Sequence, residues 1–198
     1  QVSQLSIDNA VVFSSDGRSL TYKQVSEYSL FTKQEQISIY HSYQSHSNPA
    51  ANGVHFAEVV IDTFTGIVSV KDYLAIHDIG CAINREICVS QIQGAVQMGI
   101  GAAISERLTV DKQGSCTNSL KNYHVVNAPD MPTVQVEFLE GDQNEGPYGA
   151  KSIGEVAFVP VSSAVLSAIN DALQSDFGRI PVTPEDILAF LDQKVCSN

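Results

Sequence analysis

Residues 54–77 read VHFAEVVIDTFTGIVSVKDYLAIH. Two β-rich runs, 54–62 and 67–77, flank the short connection DTFTG, which ends in Gly66, a residue that adopts positive φ without a Cβ penalty. The spacing predicts an antiparallel hairpin, and the segments on either side of it set the fold class. Downstream, residues 86–107 place Val89, Ile92, Val96, Ile100 and Ile104 three or four apart, the period of a helix. Gly94, Gly99 and Gly101 interrupt that helix, each at a cost of about 1 kcal/mol relative to Ala. Two readings of them stay open: close approach of a ligand or another backbone, and packing of helix on sheet against small residues.

Beyond it, residues 133–139 read as a strand with Val134, Val136 and Phe138 on one face. Pro160 opens a helix carrying Val165, Leu166, Ile169 and Leu173, since proline is tolerated in the first turn. Thr183 as N-cap, Pro184 at N1, Asp186 at N3 and a Val182 to Ile187 staple begin the last helix. Upstream of the hairpin, residues 10–14 are β-rich and Ser15-Asp16-Gly17 is a turn signal. Thr21 with Gln24 fits a capping box, opening a helix whose apolar face is Val25, Tyr28, Leu30 and Phe31. Alternation predicts a further strand over 37–43, the polar stretch 44–53 reads as a loop, and 112–118 is a turn-rich connection. Strands and helices mix without regular βαβ alternation or internal repeat. The expectation is therefore an α+β fold, a layered sandwich of mixed sheet and packed helices rather than a doubly wound sheet.

Composition narrows the function classes. The 198 residues carry 11 Lys plus Arg against 22 Asp plus Glu, a net charge of −11, with 43% hydrophobic residues. That is enough apolar material for a core, and too few cations to neutralise a run of phosphates, which argues against a nucleic-acid or anionic-membrane partner. No apolar run is expected to approach the ~20 residues of a bilayer span. The cysteines, Cys81, Cys88, Cys116 and Cys196, form no CxxC pair and are sparse for a disulfide scaffold, which points to a reducing cytoplasm. The chain does not begin with Met, and the expectation is a piece of a longer polypeptide or a trimmed one.

Metal ligation by side chains is not indicated, because His41, His46, His55, His77 and His124 show no i, i+4 pair. His77-Asp78 reads either as an acid/base pair or as a hydrogen-bonded strand-end histidine; neighbouring strand residues face opposite ways, which favours the second. No GxSxG elbow and no P-loop is present. The most chemical stretch is GPYGAKSIGE, residues 146–155. Its glycines let backbone approach a ligand, its amides can form an anion-binding nest, and Lys151 can add a charge-assisted contact. Glu155 then precedes the apolar run 156–159, a setting whose desolvation suits a general base. The bland alternative is a Gly-rich turn with a solvated Glu.

That segment resembles the GPxGxKxxGE signature of the molybdenum-binding subunit of the xanthine dehydrogenase and aldehyde oxidase family, the molybdenum hydroxylases. HFAEVVIDTFTGIVSV with YLAIHDIGCAIN is similar to the family's hairpin and HDxGxxxN turn. QIQGAVQMGIG is similar to its QxxGxxxQGxG helix, and PVSSAVLSAINDAL to the apolar helix after the Glu. The resemblance makes residues 1–198 a C-terminal molybdopterin-binding domain fragment, with 54–198 the best-matched region and 1–53 a loosely matched lead-in.

The resemblance implies that Glu155 is the base that deprotonates the hydroxyl attacking an electron-poor carbon of an aldehyde or purine-like N-heterocycle, water being the oxygen source. It implies that Gln91, Lys151, Ser152, Ile153 and Gly154 contact molybdopterin, with or without an attached nucleotide, and that no side chain here ligates the metal. It further implies partners: the N-terminal remainder of the molybdenum subunit, iron-sulfur and FAD domains or subunits, and a small-molecule substrate. The isolated chain is then expected to lack the cofactor and to be inactive. Cys81 stands where the family commonly has Arg, Arg85 where it has Pro, and Met98-Gly99 where it has Gln-Gly. The rival expectation is a non-catalytic folded domain or remnant of such a subunit, serving assembly or partner binding.

Overall fold

The computed structural model describes residues 4–42, 44, 49–116, 119–121, 123–139 and 146–196, the side chain of Cys196 excepted. The chain divides into two units, Gln1–Gln44 and Ser45–Asn198. In the first, β1 (Leu5–Asp8), β2 (Val11–Ser14) and β3 (Ser19–Thr21) form an antiparallel sheet in the order β1-β2-β3. The expected capping box opens α1 (Tyr22–Glu27): the Gln24 N–H donates to Thr21 Oγ1 and the Thr21 N–H to Gln24 Oε1. The apolar face expected beyond it does not form, because the helix widens into a π-helical turn, Tyr28–Lys33, that leaves Tyr28, Leu30 and Phe31 exposed. The strand expected over 37–43 is absent among its described residues. Alternation alone does not make a strand without a partner edge, and Ile39 and Tyr40 stand 83% and 94% exposed. Of the expected loop 44–53, residues 45–48 lie outside the described residues, and its last two already belong to the next strand.

The second unit holds the core. The predicted hairpin is β4 (Asn52–Ile61) paired antiparallel with β5 (Val68–Asp78), Gly66 at the turn having φ 75°. Opposite Glu58 and Val59 the partners are Asp72 and Val70, so Lys71 is the extra residue of a bulge. The bulge switches the buried face of β5 from Val68 and Val70 to Tyr73, Ala75 and His77. From β5 the chain crosses through α2 (Arg85–Ile104) to β6 (Thr133–Phe138), which lies parallel to β5. The sheet β4-β5-β6 is thus mixed, and the parallel pair needs a long crossover, which α2 supplies. The α+β expectation holds.

Two more helices complete the layer, α3 (Val159–Leu173) and α4 (Pro184–Cys196). Ile92, Val96 and Ile100 of α2, Val161, Val165 and Ile169 of α3, and Ile187 of α4 meet Tyr73 and Ala75 of β5 in one core. Each such aliphatic side chain contributes roughly 1.5–3 kcal/mol by leaving water. At α4 the Asp186 N–H donates to Thr183 Oγ1 and the Thr183 N–H to Asp186 Oδ2, with Val182 and Ile187 both buried as the staple requires. One expectation is corrected here: α2, with 20 residues, is long and apolar enough by length and composition to cross a membrane. Polar Ser, Gln and Gly residues hide that run from inspection; seven of its residues, Ile92 to Ala103, are buried in the protein core.

The glycines of α2 divide by neighbour. A Cβ at Gly99 would overlap Val161 of α3, and the Ser162 hydroxyl donates to the Gly99 carbonyl at 3.1 Å, so this glycine serves helix packing. Gly101 faces the Glu106 carboxylate, and Gly94 faces open space.

Candidate cofactor-facing loop

The end of β5 separates two neighbouring side chains, as strand geometry requires. His77 points into the core, fully buried, with its Nε2 2.7 Å from His55 Nε2; His55 Nδ1 lies 2.8 Å from the Tyr73 hydroxyl. His77 Nδ1 is buried with no partner among the described residues. An orphaned lone pair costs less than an orphaned N–H. Bonding logic therefore puts the His77 proton on Nε2, donating to His55 Nε2, and the His55 proton on Nδ1, donating to the Tyr73 oxygen. Burial, with the neighbouring His77 adding to it, pushes His55 down to about 4; burial also lowers His77 and raises Tyr73. These groups form a neutral structural chain, the hydrogen-bonded histidine that strand geometry favoured.

Asp78 faces the other way, toward residues 146–155. Its Oδ2 accepts from Lys151 Nζ at 2.8 Å and its Oδ1 from the Gly80 N–H at 3.1 Å. The Lys151 hydrogen bond, then the Gly80 amide, hold the Asp78 carboxyl below its usual range. The backbones are stitched as well. Cys81 N–H donates to the Gly149 carbonyl and Lys151 N–H to the Ile79 carbonyl, both at 2.8 Å. Gly80 has φ 64°, and a Cβ there would overlap the Gly149 carbonyl oxygen, so this approach requires glycine.

The sequence-predicted residues fall as follows. Lys151, the expected anion contact, has only 5% of its side chain exposed and spends its charge on Asp78. Ser152, Ile153 and Gly154 follow directly, and with Glu155 they make four consecutive residues whose N–H groups find no acceptor among the described residues. Gly154 faces open space. The Glu155 side chain is exposed, so this chain does not itself supply the expected desolvation; its carbonyl accepts from the Phe158 and Val159 N–H groups and so starts α3. Gln91 is exposed on α2 and makes no hydrogen bond to this loop among the described residues. No group of three or more His, Cys, Asp or Glu is placed to hold a metal among the described residues, and Cys81, Cys88 and Cys116 are free thiols. A cleft of about 1030 Å³ between the start of β5, the end of α2 and residues 120 and 123–133 is lined by none of this loop.

Sequence reasoning missed Asp78 as the partner of Lys151, 73 residues away, and the His55–His77–Tyr73 chain. The second had a signal: in the hairpin register His55 opposes Ala75, which puts Tyr73 and His77 on its flanks on the same face.

A run of free amides ending in a carboxylate fits an anionic or carbonyl-rich ligand with an acid/base step beside it. A family model described as molybdopterin cofactor-binding domain matches residues 1–132. The chain belongs to that family. As a molybdopterin cofactor-binding domain it is 32% identical over 152 residues to a xanthine dehydrogenase molybdenum-binding subunit of Escherichia coli, covering 76% of this chain and 20% of that one. It is 35% identical over 137 residues to an aldehyde oxidoreductase molybdenum-binding subunit of Escherichia coli, covering 68% of this chain and 19% of the relative. Among solved structures it resembles quinoline 2-oxidoreductase from Pseudomonas putida 86, with 26% identity and a TM-score of 0.74 over 98% of this chain and 26% of that one. The domain spans about a fifth of the length of these curated relatives.

Proposed function

We infer that this domain supplies the general base and one wall of the cofactor site of a molybdenum hydroxylase, acting with a larger remainder of the subunit. The observation that carries the reading is the run of amides from Ser152 to Gly154, without an acceptor among the described residues, leading directly into the exposed Glu155. Those donors suit the oxygens of a pterin cofactor, with or without a nucleotide, and Gln91 on α2 adds a side-chain amide from a second element. When bound, molybdopterin supplies the redox chemistry. The carboxylate of Glu155 then takes the proton from the attacking oxygen nucleophile, which derives from water, and its desolvation comes from the surfaces that close over it. Lys151 neutralises Asp78 rather than the ligand, so recognition rests on backbone dipoles.

Substrates of the class are electron-poor carbons in N-heterocycles or aldehydes, as the names of the quinoline and aldehyde enzymes among the relatives suggest. Exposed apolar residues on the outer sheet face, Val54, Phe56 and Val60, each at least half accessible, support association with further protein. We assign that protein as the rest of the molybdenum subunit, with electrons leaving through iron-sulfur and FAD units, in a reducing cytoplasm that suits the free thiols. The chain alone is then inactive.

The test is Glu155→Gln in the molybdenum-loaded assembly. Turnover should fall about 10²- to 10⁴-fold, the usual loss of a general base, with molybdenum content retained. Full turnover would remove Glu155 from the mechanism. A chain that purifies from its host alone and metal-free would leave a non-catalytic assembly domain as the better reading.

A further inference from the structure

The segment that carries the free amides has almost no regular structure of its own, yet its two ends are fixed. At its N-terminal end the Gly149 carbonyl and the Lys151 N–H bond to Cys81 and Ile79 across the end of β5. At its C-terminal end the Glu155 carbonyl is the first acceptor of the turn leading into α3, and that turn and helix, with Ala157 and Val161 fully buried, are anchored in the core. Only Ser152, Ile153 and Gly154 lie between these anchors. The N-terminal anchor depends on one side chain. Asp78 holds the Gly80 amide with one carboxylate oxygen, which sets the left-handed turn that lets Gly149 approach, and holds Lys151 with the other. The pair is well shielded, 18% and 5% exposed, so water competes with it weakly.

We propose that Asp78 is a positioning residue for the site: through Lys151 and Gly80 it clamps the 149–151 backbone to the end of β5, and so sets where the 152–154 amides and the Glu155 carboxylate stand. The proposal rests on the reading of Glu155 as base only for its catalytic consequence; the clamp itself is a property of the chain. It also gives Lys151 a definite part, as the counter-charge of Asp78 and not as a ligand of the cofactor. The HDIG turn and the GPYGAK loop, 65 or more residues apart, are on this view one device.

Amide hydrogen exchange of the chain tests the clamp without cofactor. Asp78→Asn strands a shielded ammonium and risks the fold, so the decisive variant is the double replacement Asp78→Asn with Lys151→Gln, which removes both charges with a small loss of side-chain volume. Exchange at the Lys151 and Cys81 amides should rise about 10-fold or more, as local opening does, while the β4–β5 ladder and α2 keep their protection. Lys151→Arg should keep the protection at both amides. Unchanged exchange at Lys151 and Cys81 in the double variant overturns the proposal, and so does an equal rise at every amide, which would mean a contribution to global stability alone.

In the molybdenum-loaded assembly the double variant should lower kcat by about 10²-fold with KM and molybdenum content held, the mark of misplacement rather than lost binding. Loss of molybdenum with no rise in exchange at the Lys151 and Cys81 amides would make Lys151 a cofactor-retaining residue and overturn the assignment. If Glu155→Gln retains full turnover while the double variant still loosens the two amides, the base reading fails and the clamp stands.

Discussion

The half-buried His55 and the buried His77 decide how this protein meets acid. Both imidazoles are held neutral in the fold, His55 down to about 4 from an ordinary 6.5. The unfolded chain therefore binds more protons between those values, and stability is full above about pH 6.5 and falls as pH drops toward 4. His55 alone accounts for up to roughly 3 kcal/mol of that loss. Asp78 does not confuse the upper half of the window, because its carboxyl is held below its ordinary range and stays ionised until more acid conditions. Urea midpoints at pH 7.0, 6.0 and 5.0 should decline steadily, and in His55→Gln the slope should flatten. A midpoint that holds between pH 7 and 5 would mean the pair is charged or open. Residue identity made part of this legible, since alternation already turned His77 and Asp78 apart. Their partners were not, because a hydrogen bond across 73 residues, as between Lys151 and Asp78, leaves no local pattern.

At the scale of elements, the glycines of α2 permit a sharper test than the helix itself. Gly94 and Gly99 sit in the same helix and pay the same backbone penalty, but Gly94 faces open space and Gly99 faces Val161. Gly94→Ala should stabilise by about 0.5–1 kcal/mol through helix propensity. Gly99→Ala should destabilise by about 1–3 kcal/mol, since overpacking against α3 outweighs the same propensity gain. Matching urea curves with equal m-values check both; a stabilising Gly99→Ala would mean that α3 yields. The hairpin, the capping boxes at Thr21 and Thr183 and the long helices were legible because each is specified within a few residues. The strand expected over 37–43 shows the converse: its alternation is real, but a strand exists only with a partner, and partners are chosen at long range. The parallel pairing of β5 with β6 was hidden for the same reason, its two strands being joined through α2.

At the scale of the molecule, the core belongs to one of the two units. Every residue of the hydrophobic core lies at or beyond Ala57, whereas no described residue of Gln1–Gln44 is buried. A unit of that size removes too little apolar surface to offset its own chain entropy, and at 44 residues with no cysteine it sits close to the size, about 40 residues, at which small folds usually need a disulfide, a metal or a partner. Among its described residues the unit Ser45–Asn198 has a three-stranded mixed sheet, three α-helices and the continuous core that the other lacks. It also contains the whole of the proposed site, from Asp78 and Gln91 to Glu155. A chain begun at Ser45 should therefore unfold in one cooperative transition with a urea midpoint within about 0.5 M of the full chain, while a peptide of residues 1–44 should show no cooperative transition. The same truncation should leave the Lys151 and Cys81 amides protected, because every group of the Asp78 clamp is retained. If removing the first unit instead abolishes the transition, the core would depend on contacts outside Ser45–Asn198, and the 152–155 amides would need the first unit to hold their place.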